Sequence, residues 1–285
     1  MRFGFVTCVQ LGLSCMEAIY DVGGKLDLAI TLEDDMAQAK SGRIYLDDFC
    51  GQNGVDLLKV RNINNQTAVA AIQERSIDWL FIIGWSQIAR AELLASPTQG
   101  VIGIHPTLLP VGRGRAAIPW AIIKGLDQTG VTMFKLDDGV DTGPIIAQRV
   151  IPLAADCDAG KLYAAVNDAH VDLIREVFPR LRDGTIEPRA QDDRFATEWP
   201  GRTPQDGSID LAGSVFEAER LVRATTRPYP GAFVDRANGR LVIWRAHRAD
   251  RIADTTEMTG AQPPVIHFSD GMLVVDEWEW QEKSN

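Results

Sequence analysis

The sequence predicts an α/β fold, a mostly parallel Rossmann-like sheet with flanking helices, followed by a smaller β-rich C-terminal domain. Two observations carry this prediction. Short apolar runs typical of buried strands alternate with amphipathic helical segments through the first part of the chain. The segment WPGRTPQDG at 199–207, rich in proline, glycine and polar residues, then precedes mostly β-like segments. We therefore expect one domain at 1–200 and a second at 201–285.

Strand-like and helical segments alternate from the N-terminus to residue 104. Apolar runs predict strands at 2–8, 26–31, 78–83 and 101–104. Helical periodicity predicts helices at 13–20, 67–74 and 89–95. The run DWLFII at 78–83 is nearly unbroken, as in a central parallel strand covered on both faces. The segment 47–56 is predicted to be exposed and irregular, because Gly51 and Gly54 interrupt any regular pattern.

The rest of the chain has a different pattern. Two strands are predicted at 130–136 and 145–151, joined by the turn-rich DDGVDTGP. An amphipathic helix is predicted from 161 to about 178, and Pro179 is expected to kink or end it. Beyond the proline-rich segment, one helix is predicted at 214–223. The β-like segments of this region lie at 241–246, 265–268 and 272–275.

Composition and charge argue against several classes of protein. Lysine and arginine total 29 against 39 aspartate and glutamate residues, a net charge of −10 that disfavours a nucleic-acid-binding surface. The segment MRFGFVTCVQLG is too short and too polar for a signal peptide, and no apolar run approaches the roughly 18 residues of a membrane span. The four cysteines lack the spacing of a zinc site, so we expect reduced thiols in a cytoplasmic protein.

Two polar turns that follow predicted strands form the candidate site, since ligands of open α/β sheets bind outside the carboxyl ends of strands. His105 begins one turn, and Asp137, Asp138 and Asp141 lie in the other. Three acidic residues could ligate a metal, but no further ligand beyond His105 is evident, so no metal is predicted. A lone histidine is more often structural than catalytic. A histidine that faces a carboxylate is suited to proton transfer, because the carboxylate fixes its tautomer.

The segments around both turns resemble a known enzyme family. HPTLLPVGRGRAAIPWAIIKG at 105–125, followed by TGVTMFKLDDGVDTGPIIAQ at 129–148, is similar to formyltransferases that take a formyl group from 10-formyltetrahydrofolate. The family pattern is Asn-x-His, a SLLP-like turn, an RG-containing loop, TGVT and a D-x-G-x-DTG turn. Several motifs in this order make the resemblance, which covers about 83–148, specific. The first βα unit has no GxGxxG fingerprint, so a nicotinamide dinucleotide is not indicated.

The resemblance implies a role for each matching residue, with 10-formyltetrahydrofolate as formyl donor. His105 is implied to handle the proton and to hydrogen-bond the oxyanion, and Asp141 to hold and polarise His105. The residues implied to bind the folate, many through backbone groups, are Gln87, Ile88, Ala89, Arg115, Asp137, Asp138, Gly139, Val140 and Asp141. A solvated loop charge is the alternative for Arg115.

A second resemblance concerns the acceptor. RTPQDGSIDLAGSVFEAERLVRATTRPYPGAF at 202–233 is similar to the second domain of sugar-nucleotide formyltransferases, which implies a nucleotide-linked amino sugar as partner. Residues 201–285 contain 10 Lys and Arg against 13 Asp and Glu, a net charge of −3 that suits tRNA binding poorly. The family branch that formylates a purine precursor would not need this domain. Formylation of methionyl-tRNA is the alternative reaction, and a folate-binding homologue with an impaired site is the alternative to an enzyme.

The same resemblance suggests substrate-binding residues and an assembly. Arg113, Arg227 and Tyr229 are the implied substrate-binding residues, although Arg227 and Tyr229 could equally serve domain packing. The family often forms dimers, so a homodimer is expected.

Gly103 departs from the family pattern, which has asparagine two residues before the histidine, where its amide donates to the developing oxyanion. Loss of one such donor typically costs about 100- to 1000-fold in rate. Three explanations are open. Another donor, such as Gln87, Ser86, a backbone N–H or a water, replaces the amide; the site is specialised; or the chain binds its ligands and catalyses poorly. Because the other motif residues are retained, an active enzyme is expected.

Overall fold

A computed structural model of the protein describes residues 1–39, 42–249 and 264–282. The α-helices of these ranges are α1 (Gln10–Asp21), α2 (Asp47–Asn53), α3 (Gln66–Glu74), α4 (Ala91–Leu94), α5 (Ala117–Ile123), α6 (Ala159–Arg182) and α7 (Val215–Thr225). The strands are β1 (Phe3–Val6), β2 (Leu28–Leu32), β3 (Asp56–Val60), β4 (Trp79–Ile82), β5 (Gly100–His105), β6 (Arg113–Gly114), β7 (Gln128–Lys135), β8 (Ile145–Pro152), β9 (Glu198–Trp199), β10 (Ala232–Arg236), β11 (Gly239–Ala249), β12 (Val265–Phe268) and β13 (Gly271–Glu282).

The larger sheet has seven strands in the order β3-β2-β1-β4-β5-β7-β8. Strands β3, β2, β1, β4 and β5 pair in parallel. Strand β7 runs antiparallel to β5, with Lys135 opposite Ile102 and Thr132 opposite His105. This topology confirms the predicted α/β fold with a mostly parallel sheet.

The strands of this sheet are apolar because helices cover them. Every residue of β1 and β2 is buried. The ring of Phe178 in α6 lies 4.6 Å from that of Phe3 and 6.4 Å from that of Phe81. Val69 and Ile72 of α3 are buried in a second apolar cluster with residues of β1, β2 and β4. Each such side chain stabilises the fold by roughly 1.5–3 kcal/mol relative to exposure.

A four-stranded antiparallel sheet, in the order β10-β11-β13-β12, forms the β-rich C-terminal part. Helix α7 covers it through Val215, Ala218 and Val222, which are buried and spaced three and four residues apart. The helix begins at a capping box, in which the Glu217 carboxylate accepts from the Ser214 N–H at 3.3 Å. The predicted β-rich C-terminal domain is confirmed.

The chain divides into two compact units, and each contains separate segments of the sequence. The first unit comprises Met1–Arg113, Gly130–Ile151 and Val166–Glu198. The second comprises Gly114–Thr129, Pro152–Ala165 and Trp199–Asn285. The single domain boundary near residue 200 stays a prediction.

The segment 47–56, predicted to be irregular, forms α2 and the start of β3. Gly54 has a φ of 65° and caps the carboxyl end of α2 in the left-handed conformation. Cys50 is buried and anchors the helix, and β3 pairs with β2 from Asp56 onwards. Most of the segment is exposed, as predicted. The prediction of irregular structure was wrong, because Gly54 marks the end of a helix rather than the absence of one.

Helix α6 continues through Pro179 to Arg182, so it does not end near residue 178 as predicted. Proline inside a helix costs about 3 kcal/mol, because it removes a backbone hydrogen bond and crowds the preceding turn. Val177, Phe178 and Leu181 are all buried in the same turns. Their burial offsets this cost and keeps the last turn helical. The sequence analysis also missed α5 and β10.

Within the described ranges, no helix combines the length and the apolar character needed to cross a bilayer.

Candidate active site

His105 is the last residue of β5, and its imidazole lies between two hydrogen-bond acceptors. Nε2 is 2.8 Å from the carbonyl oxygen of Gly112, and Nδ1 is 3.4 Å from Oδ2 of Asp141. The side chains of His105 and Asp141 are only 10% and 18% exposed, so the pair is largely shielded from bulk water. The structure thus brings together the two residues predicted to be catalytic.

These contacts define what the imidazole can do with a proton. A carbonyl oxygen only accepts, so Nε2 carries a proton in its contact with Gly112. Nδ1 then faces the Asp141 carboxylate, and a proton taken up at Nδ1 lies next to a negative charge. The pair is therefore arranged to accept a proton and to stabilise the resulting imidazolium.

Asp141 is carried by the loop between β7 and β8. The loop follows its own strand, as predicted, but β7 is antiparallel to β5, so the loop begins beside Ile102 rather than beside His105 at the carboxyl end of β5. The loop folds back far enough to bring Asp141 to His105. Asp141 has a φ of 55°, in the left-handed region that aspartate adopts more readily than most residues. Such a conformation persists only where the surroundings fix it.

Gln191 fixes this loop. Its Nε2 donates to the carbonyl oxygens of Asp141 and Gly143, both at 2.8 Å. Its Oε1 accepts from Nε and Nη2 of Arg113 at 3.2 and 2.8 Å. Arg113 is buried and also donates to Asp193 at 2.7 Å. Through these contacts Arg113 holds Gln191, which in turn holds the Asp141 loop. Substrate binding by Arg113 stays a prediction.

Side chains within the loop determine its shape. Oδ1 of Asp137 accepts from the Gly139 N–H at 3.1 Å and from Oγ1 of Thr142 at 2.7 Å. Asp138 and Val140 are exposed. Asp137 thus shapes the loop through Oδ1 and is itself exposed. Folate binding by Asp137, Asp138 and Val140 stays a prediction.

The segment that begins at Gln87 is fastened to the loop after β3. Gln87 accepts from the Ile63 N–H through Oε1 at 2.9 Å and donates to the Arg61 carbonyl through Nε2 at 2.8 Å. Asn64 donates through Nδ2 to the Ile88 carbonyl at 2.9 Å. The Gln87 amide is thus occupied, which argues against it as a replacement for the asparagine missing at the oxyanion. The Ile88 side chain is 79% exposed and available to an apolar ligand.

Trp85 lies two residues before Gln87 and was not among the predicted site residues. It packs against the apolar cluster to which Ala89 and Leu136 also belong. Its buried Nε1 has no hydrogen-bond partner among the described residues. An unpaired buried N–H costs about 1–3 kcal/mol and calls for an explanation. A ligand acceptor at this point would supply one.

Gly103 lies in β5 opposite Phe134. A Cβ atom at this position would lie 2.7 Å from Cδ2 and 3.3 Å from Cγ of Leu136. Leu136 therefore fills the space in which the family pattern has the first atoms of an asparagine side chain.

Three further predicted residues, Arg115, Arg227 and Tyr229, lie in the second compact unit. Arg115 is exposed. Arg227 pairs with Glu277 and lies 4.3 Å over the ring of Trp244. Burial raises the pKa of Tyr229 to about 12. Arg227 and Tyr229 thus have packing contacts within this unit, and the ligand-binding roles of all three stay predictions.

Gln191, Asn64 and Trp85 were not predicted from the sequence. Gln191 and Asn64 lie in loops without periodicity, and their partners are distant in sequence, so no local signal marks them. Trp85 had a signal, an aromatic residue between a predicted strand and the predicted folate segment. In the part of the chain that the structure describes, no group of three or more His, Cys, Asp or Glu side chains could hold a metal ion.

The fold and this site together define an α/β enzyme with a shielded His–Asp pair at a strand end and a β-rich second domain. Two family models match the chain, Formyl transferase at residues 33–178 and Formyl transferase, C-terminal domain, at residues 202–285. The chain belongs to the formyl transferase family and is a formyl-transferring enzyme.

The chain is similar to formyltransferases of more than one kind. The methionyl-tRNA formyltransferase of Lachnospira eligens is 28% identical over 294 residues, which cover 99% of this chain and 93% of that protein. The N-formyltransferase of Helicobacter canadensis, solved with folinic acid and dTDP-3-aminofucose, has a TM-score of 0.71 at 16% identity, covering 98% of this chain and 100% of that one. Methionyl-tRNA formyltransferase from Clostridium thermocellum has a TM-score of 0.64 at 17% identity, covering 99% and 100%. The structural similarities show a shared fold.

Proposed function

We propose that this enzyme transfers the formyl group of 10-formyltetrahydrofolate to the amino group of a nucleotide-linked amino sugar. The observation that carries the reaction is the shielded contact of His105 with Asp141, 3.4 Å between Nδ1 and Oδ2. A primary amine that attacks a formyl carbon must lose a proton, and a His–Asp pair is suited to take it.

Features of the first unit support a folate donor. Ile88 and Val140 are large apolar side chains that are 79% and 60% exposed on the two loops predicted to bind it. Trp85 offers a buried N–H without a partner among the described residues. Apolar side chains with a few polar groups are typical of sites for small organic molecules. The relative from Helicobacter canadensis, solved with folinic acid, supports the same donor.

Proton transfer in the proposed mechanism depends on His105. The bound donor supplies an electrophilic formyl carbon, to which the amine nitrogen forms a bond as the bond from that carbon to the folate nitrogen breaks. We assign uptake of the amine proton, and its return to the folate nitrogen, to the His105–Asp141 pair, which holds the proton between Nδ1 and the carboxylate. The Gly112 carbonyl holds the ring through Nε2.

The acceptor is proposed from the charge of the C-terminal domain. Its net charge of −3 over residues 201–285 suits a small substrate better than a polyanion. One finding favours the second candidate, methionyl-tRNA: the 28% identity with a methionyl-tRNA formyltransferase across 93% of that protein.

A substrate panel tests the proposal. The enzyme is incubated with 10-formyltetrahydrofolate and with dTDP-, UDP- or GDP-linked amino sugars, or with methionyl-tRNA, and formylated products are measured by mass spectrometry. We expect formylation of at least one sugar nucleotide and none of the tRNA. Turnover of tRNA alone would establish the second candidate. Folate binding without turnover of any acceptor would indicate a homologue with an impaired site.

The assembly and compartment are proposed as well. We expect a homodimer, because the sequence resembles a family that often dimerises. Sedimentation equilibrium, which measures the molar mass of the assembly, tests this expectation. A cytoplasmic location is proposed from the reduced cysteines, and cell fractionation tests it.

A further inference from the structure

Helix α7 has one face against the C-terminal sheet, and other residues of the helix border a cavity of about 770 Å³. These residues, Phe216, Glu219, Arg220 and Arg223, are spaced as neighbours along a helix. The other walls come from 122–127, 153–161, 245–248 and Asp276, and every lining residue belongs to the second unit. None of the predicted catalytic, folate-binding or substrate-binding residues lines it. The volume is within the range of small-molecule sites, about 300–1,000 Å³.

Many charged side chains that line the cavity are paired with one another. Arg223 holds both carboxylate oxygens of Glu219, at 2.5 and 3.0 Å, and donates to the Cys157 carbonyl at 2.7 Å. Lys161 pairs with Asp156 at 2.8 Å. Within each pair the two charges cancel, so these side chains contribute little net charge to the cavity.

Two arginines of the lining, Arg220 and Arg248, have no carboxylate partner among the described residues. The Arg220 guanidinium lies against Gly125, where a Cβ atom would lie 2.5 Å from Arg220 Cζ. Because Gly125 has no side chain, the Arg220 guanidinium can occupy this space. The Arg248 guanidinium lies 3.9 Å from the centre of the Phe216 ring, and Phe216 is itself 51% exposed.

We propose that this cavity is a second ligand site, which binds a nucleoside diphosphate. Guanidinium groups bind phosphate oxygens through paired N–H donors, a task that Arg220 and Arg248 are free to perform towards the cavity. The exposed Phe216 ring offers an apolar surface to the base or sugar. The five carboxylates of the lining disfavour a long polyanion, so the ligand is a small molecule rather than a nucleic acid.

This proposal does not rest on the proposed acceptor, and its test does not use formyl transfer. Cys157 lines the cavity and is partly exposed, whereas Cys8, Cys15 and Cys50 are buried. The rate of alkylation of Cys157 by iodoacetamide, followed by peptide mass spectrometry, therefore reports occupancy of this cavity. Burial raises the pKa of the Cys157 thiol, so the reaction is run at mildly alkaline pH. The probes are UDP and inorganic pyrophosphate.

UDP at about ten times its dissociation constant is expected to slow alkylation about tenfold, and pyrophosphate is expected to protect less. The variants Arg220→Gln and Arg248→Gln are expected to lose most of this protection. Arg236→Gln, which changes an exposed arginine outside the cavity, is the matched control and is expected to keep it. Equal alkylation with and without UDP, or full protection in Arg220→Gln, would overturn the proposal. Comparing rates with and without ligand within each variant cancels any change in thiol reactivity.

Discussion

At the scale of single residues, the imidazole of His105 has acceptors at both nitrogens, and only one of them is charged. The Gly112 carbonyl can orient the ring but cannot balance a positive charge, whereas the Asp141 carboxylate can do both. The contribution of Asp141 to catalysis is therefore expected to exceed that of a neutral hydrogen-bond acceptor at the same place.

We predict that Asp141→Asn and His105→Ala each lower kcat by at least about 100-fold, because a general acid–base contributes about 10²- to 10⁴-fold. Asparagine tolerates the left-handed backbone of residue 141, so the loop is expected to keep its shape in Asp141→Asn. Folate binding, measured by fluorescence titration, should persist in both variants. Asp172→Asn, at an exposed position on α6, is the control. A kcat near that of the unmodified enzyme would remove the changed residue from the mechanism.

Gly103→Asn tests whether the departure from the family pattern is a defect. Leu136 fills the space beside Gly103, so the new side chain must displace it. We predict no gain in kcat and a loss of about 1–3 kcal/mol in the free energy of unfolding, as for other overpacked sites. Denaturant unfolding and steady-state kinetics measure the two effects, and Gly103→Ala isolates the contribution of Cβ. A large rise in kcat would instead identify a site impaired by the loss of the asparagine.

At the scale of elements, the position of Asp141 is set from outside its own loop. Gln191 donates to two carbonyl oxygens of this loop and accepts from the buried Arg113. Arg113 itself lies shortly after the turn that His105 begins. The Arg113–Gln191 contact therefore connects the segments that carry both predicted catalytic residues.

We predict that Gln191→Leu lowers kcat by about 10-fold or more, since small misplacements of catalytic groups can cost about 100-fold. Stability should also fall by about 1–3 kcal/mol, because buried donors of Arg113 lose their acceptor. A double-mutant cycle separates the two effects: with Asp141→Asn already present, Gln191→Leu should lower kcat little further. Gln52→Leu, at an exposed position on α2, is the control. Fully additive losses in kcat would contradict a positioning role for Gln191.

Elements with strong local signals were predictable, and those decided by long-range contacts were not. Residues close together in the sequence determine the apolar runs of β1 and β4 and the capping box of α7. The structure contains all three features. The antiparallel direction of β7 has no local signal, because it depends on pairing with β5. The passage of α6 through Pro179 depends likewise on tertiary burial of Leu181.

The residues of the candidate site likewise fall into two groups, those that a sequence motif marks and those that only the folded structure reveals. His105 and Asp141 were predicted from motifs that resemble those of a known family, and the structure places the two side chains next to each other. Gln191 holds the Asp141 loop and Asn64 holds the segment at Ile88, each by a side-chain amide that donates to backbone carbonyls. A backbone carbonyl has no sequence signature, so such support can be seen only once the chain is folded.

At the scale of the whole molecule, the buried His170 links stability to pH. His170 lies in α6, is 2% exposed and donates through Nδ1 to the Val166 carbonyl at 2.7 Å. Burial, with a smaller contribution from His105, lowers its pKa from 6.5 to about 4. The unfolded chain therefore binds a proton at this residue between these two pH values, whereas the folded protein does not. The free energy of unfolding consequently decreases as the pH falls from about 6.5 towards 4.

We predict that His170 accounts for a loss of about 2 kcal/mol in the free energy of unfolding between pH 7 and pH 5, since one pKa unit corresponds to about 1.4 kcal/mol. His170→Asn retains an amide that can donate to the Val166 carbonyl and does not titrate, so its stability should change less over this range. His267→Asn, at an exposed position in β12, is the control and should follow the unmodified protein. Urea unfolding at pH 5, 6 and 7 measures all three proteins. Parallel pH profiles for His170→Asn and the unmodified protein would show that His170 is protonated in the folded state or remains neutral in both states.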